Sequence, residues 1–186
     1  MMSNFSIVLI ALALVLYFGH GLAIAGSKME KSFSAISKAL FLYIIIQWIL
    51  LLLGINVGNR LSGTNEVFNI ITFLVIMIIF GLKMFISSIN TSKGLPKYDF
   101  SKTKSTALLA AFDGITTFVI AIAVGVLIFN IRKTAIIIGS VLAVGIILFF
   151  IIGNRIPEIA PKLRFGPIAG LILIILAIVQ TVIFFL

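Results

Sequence analysis

Long apolar stretches alternate with short polar connections along the whole chain. Each stretch is close to the ~20 residues that an α-helix needs to cross the hydrocarbon core of a bilayer. There are six of them: Ile7–Ala25, Ala39–Val57, Phe68–Ile86, Ala107–Phe129, Ala135–Gly153 and Pro167–Leu186. Because a backbone in lipid must satisfy its own hydrogen bonds, apolar runs of this length are helices and not strands. The pattern predicts an all-α integral membrane protein with six transmembrane helices.

The composition supports this prediction and excludes several kinds of chemistry. Of the 186 residues, 62% are hydrophobic and 10% are charged, which is more apolar surface than a soluble domain of this size can bury. The absence of cysteine excludes disulfides, thiolate nucleophiles and cysteine-ligated metals, and a single histidine excludes a histidine-rich metal cluster. We therefore expect no cofactor.

The positive charges lie in the connections between the apolar runs. The net charge is +9, but this placement is the positive-inside pattern of membrane proteins, so we expect the lipid bilayer as a partner and no nucleic acid. The first, third and fifth connections carry ten Lys and Arg residues, whereas the other connections and the termini carry three. Lys83 is left out because it can snorkel toward the third connection. This bias predicts that both termini lie outside.

The start of the chain does not resemble a cleaved signal peptide. No Lys or Arg precedes Lys28, whereas a signal peptide begins with a positively charged region. We expect the first apolar run to be a retained helix.

The longest and most polar connection predicts two three-helix halves. We place the first half at residues 1–90, a cytoplasmic linker at 91–104 and the second half at 105–186. The middle helix of each half ends in the same Gly-Asn-Arg sequence, at residues 58–60 and 153–155. An odd number of helices per half would make the two halves inverted repeats. Such repeats are a feature of secondary transporters, with the substrate site near the midplane between them.

Two pairs of glycines have the spacing of close helix contacts. Gly54 and Gly58 are four residues apart, and so are Gly166 and Gly170. This spacing lets two helix backbones approach closely in lipid, although glycine is also common in membrane helices generally. We expect both pairs to lie at helix contacts.

One acidic residue interrupts the fourth apolar run. Asp113 is the only Asp or Glu within the six runs, and Thr116 and Thr117 follow it on the same helix face. A charge at membrane depth costs a few kcal/mol or more, and by default it faces the bundle interior or a cavity and marks a functional site. The alternative is that Asp113, about 9 Å from the start of the run, reaches interfacial water or pairs with a nearby lysine.

Two further polar side chains lie in the first and second runs. His20 and Gln47 could simply join helices by a hydrogen bond, which is worth about 0.6 kcal/mol in membranes. On the predicted topology His20 and Asp113 lie in the same half of the bilayer, so this pair could relay protons or bind one metal ion. Hard divalent cations take several oxygen ligands, so Thr116, Thr117 and backbone carbonyls would have to complete the site.

Five stretches of the chain resemble blocks of one transporter family. They are FGHGLAIAGSK, IIIQWILLLLG, FGLKMF, TTFVIAIAVG and LAIVQ, in the first, second, third, fourth and sixth runs. In the family, the first and fourth blocks contain Asp-Ala-x-Ala, the second has a Glu seven residues before a Gly, and the third reads Gly-Gly-Arg-Met. The chain resembles the MntP manganese exporters, within the LysE-like transporter group. The resemblance implies their six-helix fold.

The carboxylates of the family blocks are replaced in this chain. The first Asp falls on His20, the Glu on Gln47 and the second Asp on Phe118. The resemblance implies that these carboxylates bind the divalent cation. Asp113 lies five residues before the expected position and is not a simple replacement. The sequence therefore predicts the family fold with a degenerate ion site.

Two functions follow from these patterns. The first is efflux of manganese or another divalent cation, with His20, Gln47, Asp113, Thr116 and Thr117 along the path, and with Asp113 and His20 as the metal ligands. The alternative is a non-transporting membrane subunit that keeps the fold to dock with a membrane-protein partner, as the loss of three carboxylates suggests. We expect no enzyme, because no nucleophile–base pair, zinc motif or phosphate loop is visible. We expect a multi-pass protein of the plasma (inner) membrane of a bacterium.

Overall fold

The described part of the chain consists of six α-helices without a strand. A computed structural model describes residues 2–28, 33–63, 65–89, 103–128, 130–158 and 164–186. The helices are α1 (Asn4–Lys28), α2 (Phe33–Leu61), α3 (Glu66–Ile89), α4 (Thr103–Leu127), α5 (Ile131–Arg155) and α6 (Gly166–Phe185). Each is long and apolar enough to cross a membrane. The predicted all-α, six-helix membrane fold is confirmed.

Local sequence signals mark several helix ends. The side chain of Asn65 accepts hydrogen bonds from the backbone N–H groups of Val67 and Phe68 at the start of α3, and Asn130 caps α5 in the same way. Proline stands in the first turn of α6, where its missing N–H costs nothing. The predicted linker at 91–104 lies outside the described residues except for its last two, which begin α4.

The helices pack almost entirely across the two halves. Among the described residues, the extensive contacts join α1 to α5, α2 to α4 and α3 to α6, and smaller ones join α1 to α6, α3 to α4 and α2 to α5. This set of pairs is unchanged when α1, α2 and α3 are exchanged with α4, α5 and α6. The two halves are therefore interleaved, and neither packs mainly on itself.

Two seams between the halves have matching geometry. We call the α2–α4 contact the first seam and the α1–α5 contact the second seam. In the first seam, a Cβ added to Gly114 would meet Leu50, and one added to Gly54 would meet the carbonyl oxygen of Phe118. Both contacts advance in the same direction along the two helices, so α2 and α4 run parallel.

The second seam has the same arrangement of helices, but small and large residues have exchanged places. Gly145 of α5 faces Val15 of α1, and Gly19 of α1 faces the ring of Phe149 in α5. These contacts also advance together, so α1 and α5 run parallel. Small residues face large ones in both seams, but the helix that carries the small residue differs.

The repeated Gly-Asn-Arg sequences occupy corresponding places in the two seams. A Cβ at Gly58 would collide with the carbonyl oxygen of Ile122, and one at Gly153 would collide with that of Ala23. The next residue donates its side-chain amide to a carbonyl at the end of the opposite helix. Asn59 reaches Ile128 at 3.3 Å and Asn154 reaches Gly26 at 3.1 Å. Both motifs therefore bind a helix end of the other half.

The third contact between the halves is a glycine-on-glycine crossing of α3 and α6. A Cβ on Gly81 would lie 2.9 Å from the carbonyl oxygen of Gly170, and a Cβ on Gly170 would collide with that of Gly81. Gly166 lies farther toward the end of α3, against Ser88 and Met84. The four glycines of the two predicted packing motifs thus all lie at contacts between the halves.

The outer surface of the bundle is apolar, as a lipid-facing surface requires. Large side chains such as Phe41, Ile79 and Ile183 are 57–68% exposed on different helices. The helix α1 is the most enclosed, with 56% of its span buried against 28% for α2 and for α3. Its residues therefore face protein on several sides.

Candidate functional site

Asp113 lies where α4 faces α2. Its carboxylate accepts a hydrogen bond of 2.5 Å from the hydroxyl of Tyr43, which is buried in α2. The two side chains meet because α2 and α4 run parallel and approach closely at their glycines. The residue as a whole is half-buried and borders on open space.

That open space is a cavity of about 210 Å³, which we call the Asp113 cavity. It lies where the C-terminal parts of α1 and α3 meet the first turns of α4 and the start of α6. Its polar lining consists of Tyr17, His20, Ser87, Ser88, Asp113 and Arg164. His20 and Asp113 therefore share one cavity and do not lie on opposite sides of the bundle.

Gln47 and Thr117 form a hydrogen bond with each other and do not line the Asp113 cavity. The Thr117 hydroxyl donates to the side-chain oxygen of Gln47 at 2.6 Å, and the Gln47 amide donates to the carbonyl of Ala110 at 3.1 Å. Both side chains are completely buried. They join α2 to α4 one turn beyond the Tyr43–Asp113 hydrogen bond, so they extend the polar part of the first seam.

Thr116 connects this region to α3 through Lys83. The Lys83 ammonium donates to the Thr116 hydroxyl at 3.5 Å and lies 5.0 Å from the centre of the Phe80 ring. It also interacts electrostatically with Asp113. We expected Lys83 to extend toward the third connection, but its side chain reaches α4. The hydroxyl and the carboxylate on α4 provide polar partners that lipid lacks.

Sequence reasoning missed several groups around Asp113. Tyr43 could have been found, because it lies one turn from Gln47 on the same face of α2. Ser87 and Arg164 gave no such signal, because they come from α3 and the start of α6. The alternative that Asp113 pairs with a nearby lysine did not identify Lys83 as that lysine. Which helices border on α4 is decided by packing and not by sequence spacing.

A larger cavity opens at the other end of the bundle. It has a volume of about 730 Å³ and lies between the ends of α2, α4 and α6 and the starts of α1 and α3. We call it the Glu66 cavity. Its polar lining consists of Asn59, Ser62, Glu66, Asn69 and Gln180. Between the two cavities the first seam is closed, since Gly54 and Gly58 lie directly against the backbone of α4.

The Asp113 cavity has few strong metal ligands. Within the described ranges there is no group of three or more His, Cys, Asp or Glu side chains that could hold a metal ion. Asp113 and His20 are the two candidates, and hydroxyls such as those of Tyr17 and Ser87 are the remaining oxygens. A cation bound here would have to keep part of its water shell.

Comparison with known proteins gives one match. A family described as "putative manganese efflux pump" matches residues 28–180. No curated protein and no solved structure matches the chain. The matched residues contain Gln47, Asp113 and both threonines, whereas α1 with His20 lies almost entirely before them. Because the match covers most of the sequence and all of α3 to α5, the chain belongs to the MntP family of transporters.

Proposed function

We propose that the protein exports a divalent cation, Mn²⁺ in the first instance, and that the cation binds in the Asp113 cavity. The observation that carries this proposal is that the cavity brings His20 of α1 and Asp113 of α4 together. Ionisable residues within membrane spans are rare and commonly mark ion pathways. A chain that kept the fold only for docking would have no need of this cavity.

The available ligands favour a partly hydrated cation. A hard divalent cation takes about six oxygen ligands, and Mg²⁺-like ions usually keep several waters. A cavity of about 210 Å³ is large enough to hold a cation together with several water molecules. Asp113 would supply a charged oxygen, which suits Mn²⁺ as well as the alkaline-earth ions, and His20 would add a nitrogen, which favours transition metals. With a single carboxylate we expect weak binding, which is suitable for release.

The proposed route leads from the Asp113 cavity to the Glu66 cavity. Gln47, Thr116 and Thr117 would follow Asp113 along the first seam, and Asn59 begins the second cavity. The closed glycine contact lies between them, so transport would require the seam to open. The exchange of helix pairs between the halves supports the inverted-repeat proposal, and the charge bias supports termini on the outside.

The location and the absence of catalysis are further parts of the proposal. We infer that the protein resides in the plasma (inner) membrane of a bacterium and acts as a transporter and not as an enzyme. On the proposed orientation the Asp113 cavity faces the cytoplasm and the Glu66 cavity faces outward. A cation would then enter at Asp113 and leave past Glu66, which is the direction of efflux.

The first test is Mn²⁺ binding to the purified protein in detergent, measured by calorimetry. We expect saturable binding that Asp113→Asn abolishes, because the amide keeps the shape of the side chain but removes the only carboxylate among the described residues that line the cavity. Glu158→Gln is the matched control, since it removes an exposed carboxylate at the turn after α5. Equal binding by wild type and Asp113→Asn would contradict the proposed site.

A second function has one observation in its favour. Gln47 and Thr117 form a hydrogen bond with each other, and the described residues contain no cluster of three metal-binding side chains. Both features fit a non-transporting subunit that uses the fold to dock with a membrane protein. Mn²⁺ uptake into inverted vesicles distinguishes the two functions. Uptake that depends on Asp113 supports the exporter, whereas none, together with a protein that co-purifies in stoichiometric amount, supports the subunit.

A further inference from the structure

Lys83 is an exposed residue of α3 whose ammonium nevertheless reaches the proposed cation route at Thr116. It lies in α3, six residues before the helix ends, so its Cα is about 9 Å from that end at 1.5 Å per residue. A lysine at the centre of a membrane helix costs about 2.5–3.5 kcal/mol on insertion scales. Such a side chain normally extends to the nearest water, but here it extends to α4.

The surroundings of Lys83 hold its ammonium near Asp113. The ammonium lies over the Phe80 ring at 5.0 Å and donates to the Thr116 hydroxyl at 3.5 Å. Thr116 is one turn from Asp113 on the same face of α4. The electrostatic interaction of Lys83 with the Asp113 carboxylate is attractive. In this conformation a positive charge that belongs to the protein therefore lies on the same side of α4 as the carboxylate and attracts it.

A tethered positive charge changes the competition for the carboxylate. A cation that binds Asp113 must weaken the hold of Lys83, whose effective concentration is in the millimolar range or above because it is part of the same chain. A monovalent ion brings the same charge as the ammonium and gains nothing by replacing it. A divalent ion interacts twice as strongly with the carboxylate at the same distance.

We propose that Lys83 is a built-in counter-ion of Asp113 that sets the affinity of the site and selects divalent over monovalent cations. This inference rests on the proposed binding of a cation at Asp113. When the site is empty, the ammonium balances the carboxylate. When a divalent cation enters, the flexible stem of Lys83 lets the ammonium move away, and the side chain returns when the cation leaves. Lys83 acts through Asp113 and is a specificity-determining residue, not a ligand.

The test compares Mn²⁺ binding to wild type and Lys83→Met by calorimetry in choline buffer. Methionine has a similar length and is apolar, so it suits a membrane helix, and Lys83→Gln serves as a second variant. We expect either variant to bind Mn²⁺ at least about tenfold more tightly, since a unit charge near the site is removed. Lys83→Arg keeps the charge and should remain within about threefold of wild type.

Selectivity is tested by replacing choline with Na⁺ at constant ionic strength. Na⁺ should weaken Mn²⁺ binding to Lys83→Met and leave wild type nearly unchanged, because the tethered ammonium already excludes monovalent ions. Lys104→Gln, an exposed lysine in the first turn of α4, is the matched control for net charge. We expect it to behave as wild type in both buffers.

The possible failures are distinguishable. If Mn²⁺ binding depends on Asp113 but Lys83→Met and Lys83→Gln leave its affinity and its response to Na⁺ unchanged, the counter-ion proposal is wrong and the cation site stands. If neither wild type nor the Lys83 variants bind Mn²⁺ saturably, the proposed function itself is overturned.

Discussion

The two seams between the halves have the same backbone arrangement but different chemistry. When the two seams are compared contact by contact, a residue of α4 corresponds to the residue 99 positions earlier in α1. A residue of α2 in the seam corresponds to the residue 95 positions later in α5. Apart from Asn59, which has a counterpart in Asn154, the polar residues that join the helices of the first seam are Tyr43, Gln47, Asp113 and Thr117. Their counterparts in the second seam are Ile138, Leu142, Leu14 and Phe18, which are all 1–2% exposed.

This difference separates the residues that stabilise the fold from those that we propose for cation transport. Glycines allow close backbone contact in both seams, so the bundle does not need polar side chains to assemble. The first seam nevertheless contains a carboxylate, a phenol and an amide. Because buried polar groups cost stability unless they are paired, their restriction to one seam is best explained by the function that we propose for it.

The largest effect is expected from exchanging chemistry between the seams. The triple variant Tyr43→Phe, Asp113→Leu and Lys83→Met replaces the groups that meet at Asp113 by apolar ones, as in the second seam, and leaves no charge without its partner. Mn²⁺ binding should be lost, while thermal stability in detergent should be unchanged or higher, because replacing buried charged groups by packed apolar ones is neutral or stabilising by about 1–4 kcal/mol. Calorimetry and thermal unfolding measure the two effects.

The reverse exchange is the control for this experiment. Leu14→Asp places a carboxylate in the second seam, where the residue corresponding to Tyr43 is Ile138 and no hydroxyl meets it. We expect a loss of several kcal/mol or failure to fold. If Leu14→Asp is as stable as wild type, or if the triple variant of the first seam unfolds, the contrast between the seams is wrong.

An intermediate effect is expected from adding a methyl group to either seam. Gly58→Ala and Gly153→Ala would each press a Cβ against a backbone carbonyl of the facing helix. Overpacking costs about 1–3 kcal/mol, and a backbone cannot yield as a side chain can. Both variants should lower the midpoint of thermal unfolding by a similar amount. Gly21→Ala is the stability control, since its Cβ would meet nothing within 4 Å.

The fluorescence of Trp48 reports on helix packing in the same variants. It is the only tryptophan of the chain, and its ring packs against Gly139 of α5. Separation of the halves should expose the indole and shift its emission to longer wavelength. A change at Gly58 that leaves stability and emission as in wild type would show that the close approach in the first seam is not required.

The smallest effect concerns the hydrogen bond between Gln47 and Thr117. A double-mutant cycle with Gln47→Leu and Thr117→Val should give a coupling of about 0.6 kcal/mol, and at most about 1.7, as for other hydrogen bonds between membrane helices. Thr72→Val is the matched control, since its hydroxyl bonds to its own helix at Phe68. It should be additive with Gln47→Leu, and a coupling of equal size would contradict the assignment.

The sequence predicted the spans well because lipid imposes a simple rule on length and polarity. The six runs of hydropathy located all six helices. The spacing of Asp113, Thr116 and Thr117 placed them on the side of α4 that contacts α2 and α3. The sequence could not predict which helices would pair. In lipid the outward and inward faces of a helix are both apolar, so the usual amphipathic signal is missing. Pairing depends instead on steric fit, such as Phe149 against Gly19.

The surroundings of the site were therefore harder to predict than its central residue. Asp113 is evident because it is the one acidic residue within the apolar runs. Its hydrogen bond to Tyr43 depends on the α2–α4 pairing, and its interaction with Lys83 depends on the position of α3. The expectation that Lys83 extends toward the third connection considered only the distance to water and not a polar partner on a neighbouring helix.

The interleaving of the halves has a consequence for biosynthesis. The main partners of α1, α2 and α3 are α5, α4 and α6, which are made later, and among the described residues the first three helices have few contacts with one another. When they leave the ribosome they therefore have no partner of their own half to pack against. The first seam becomes available when α4 is inserted, and α1 must wait for α5. We expect the early helices to be held by the insertion machinery until most of the chain has been synthesised.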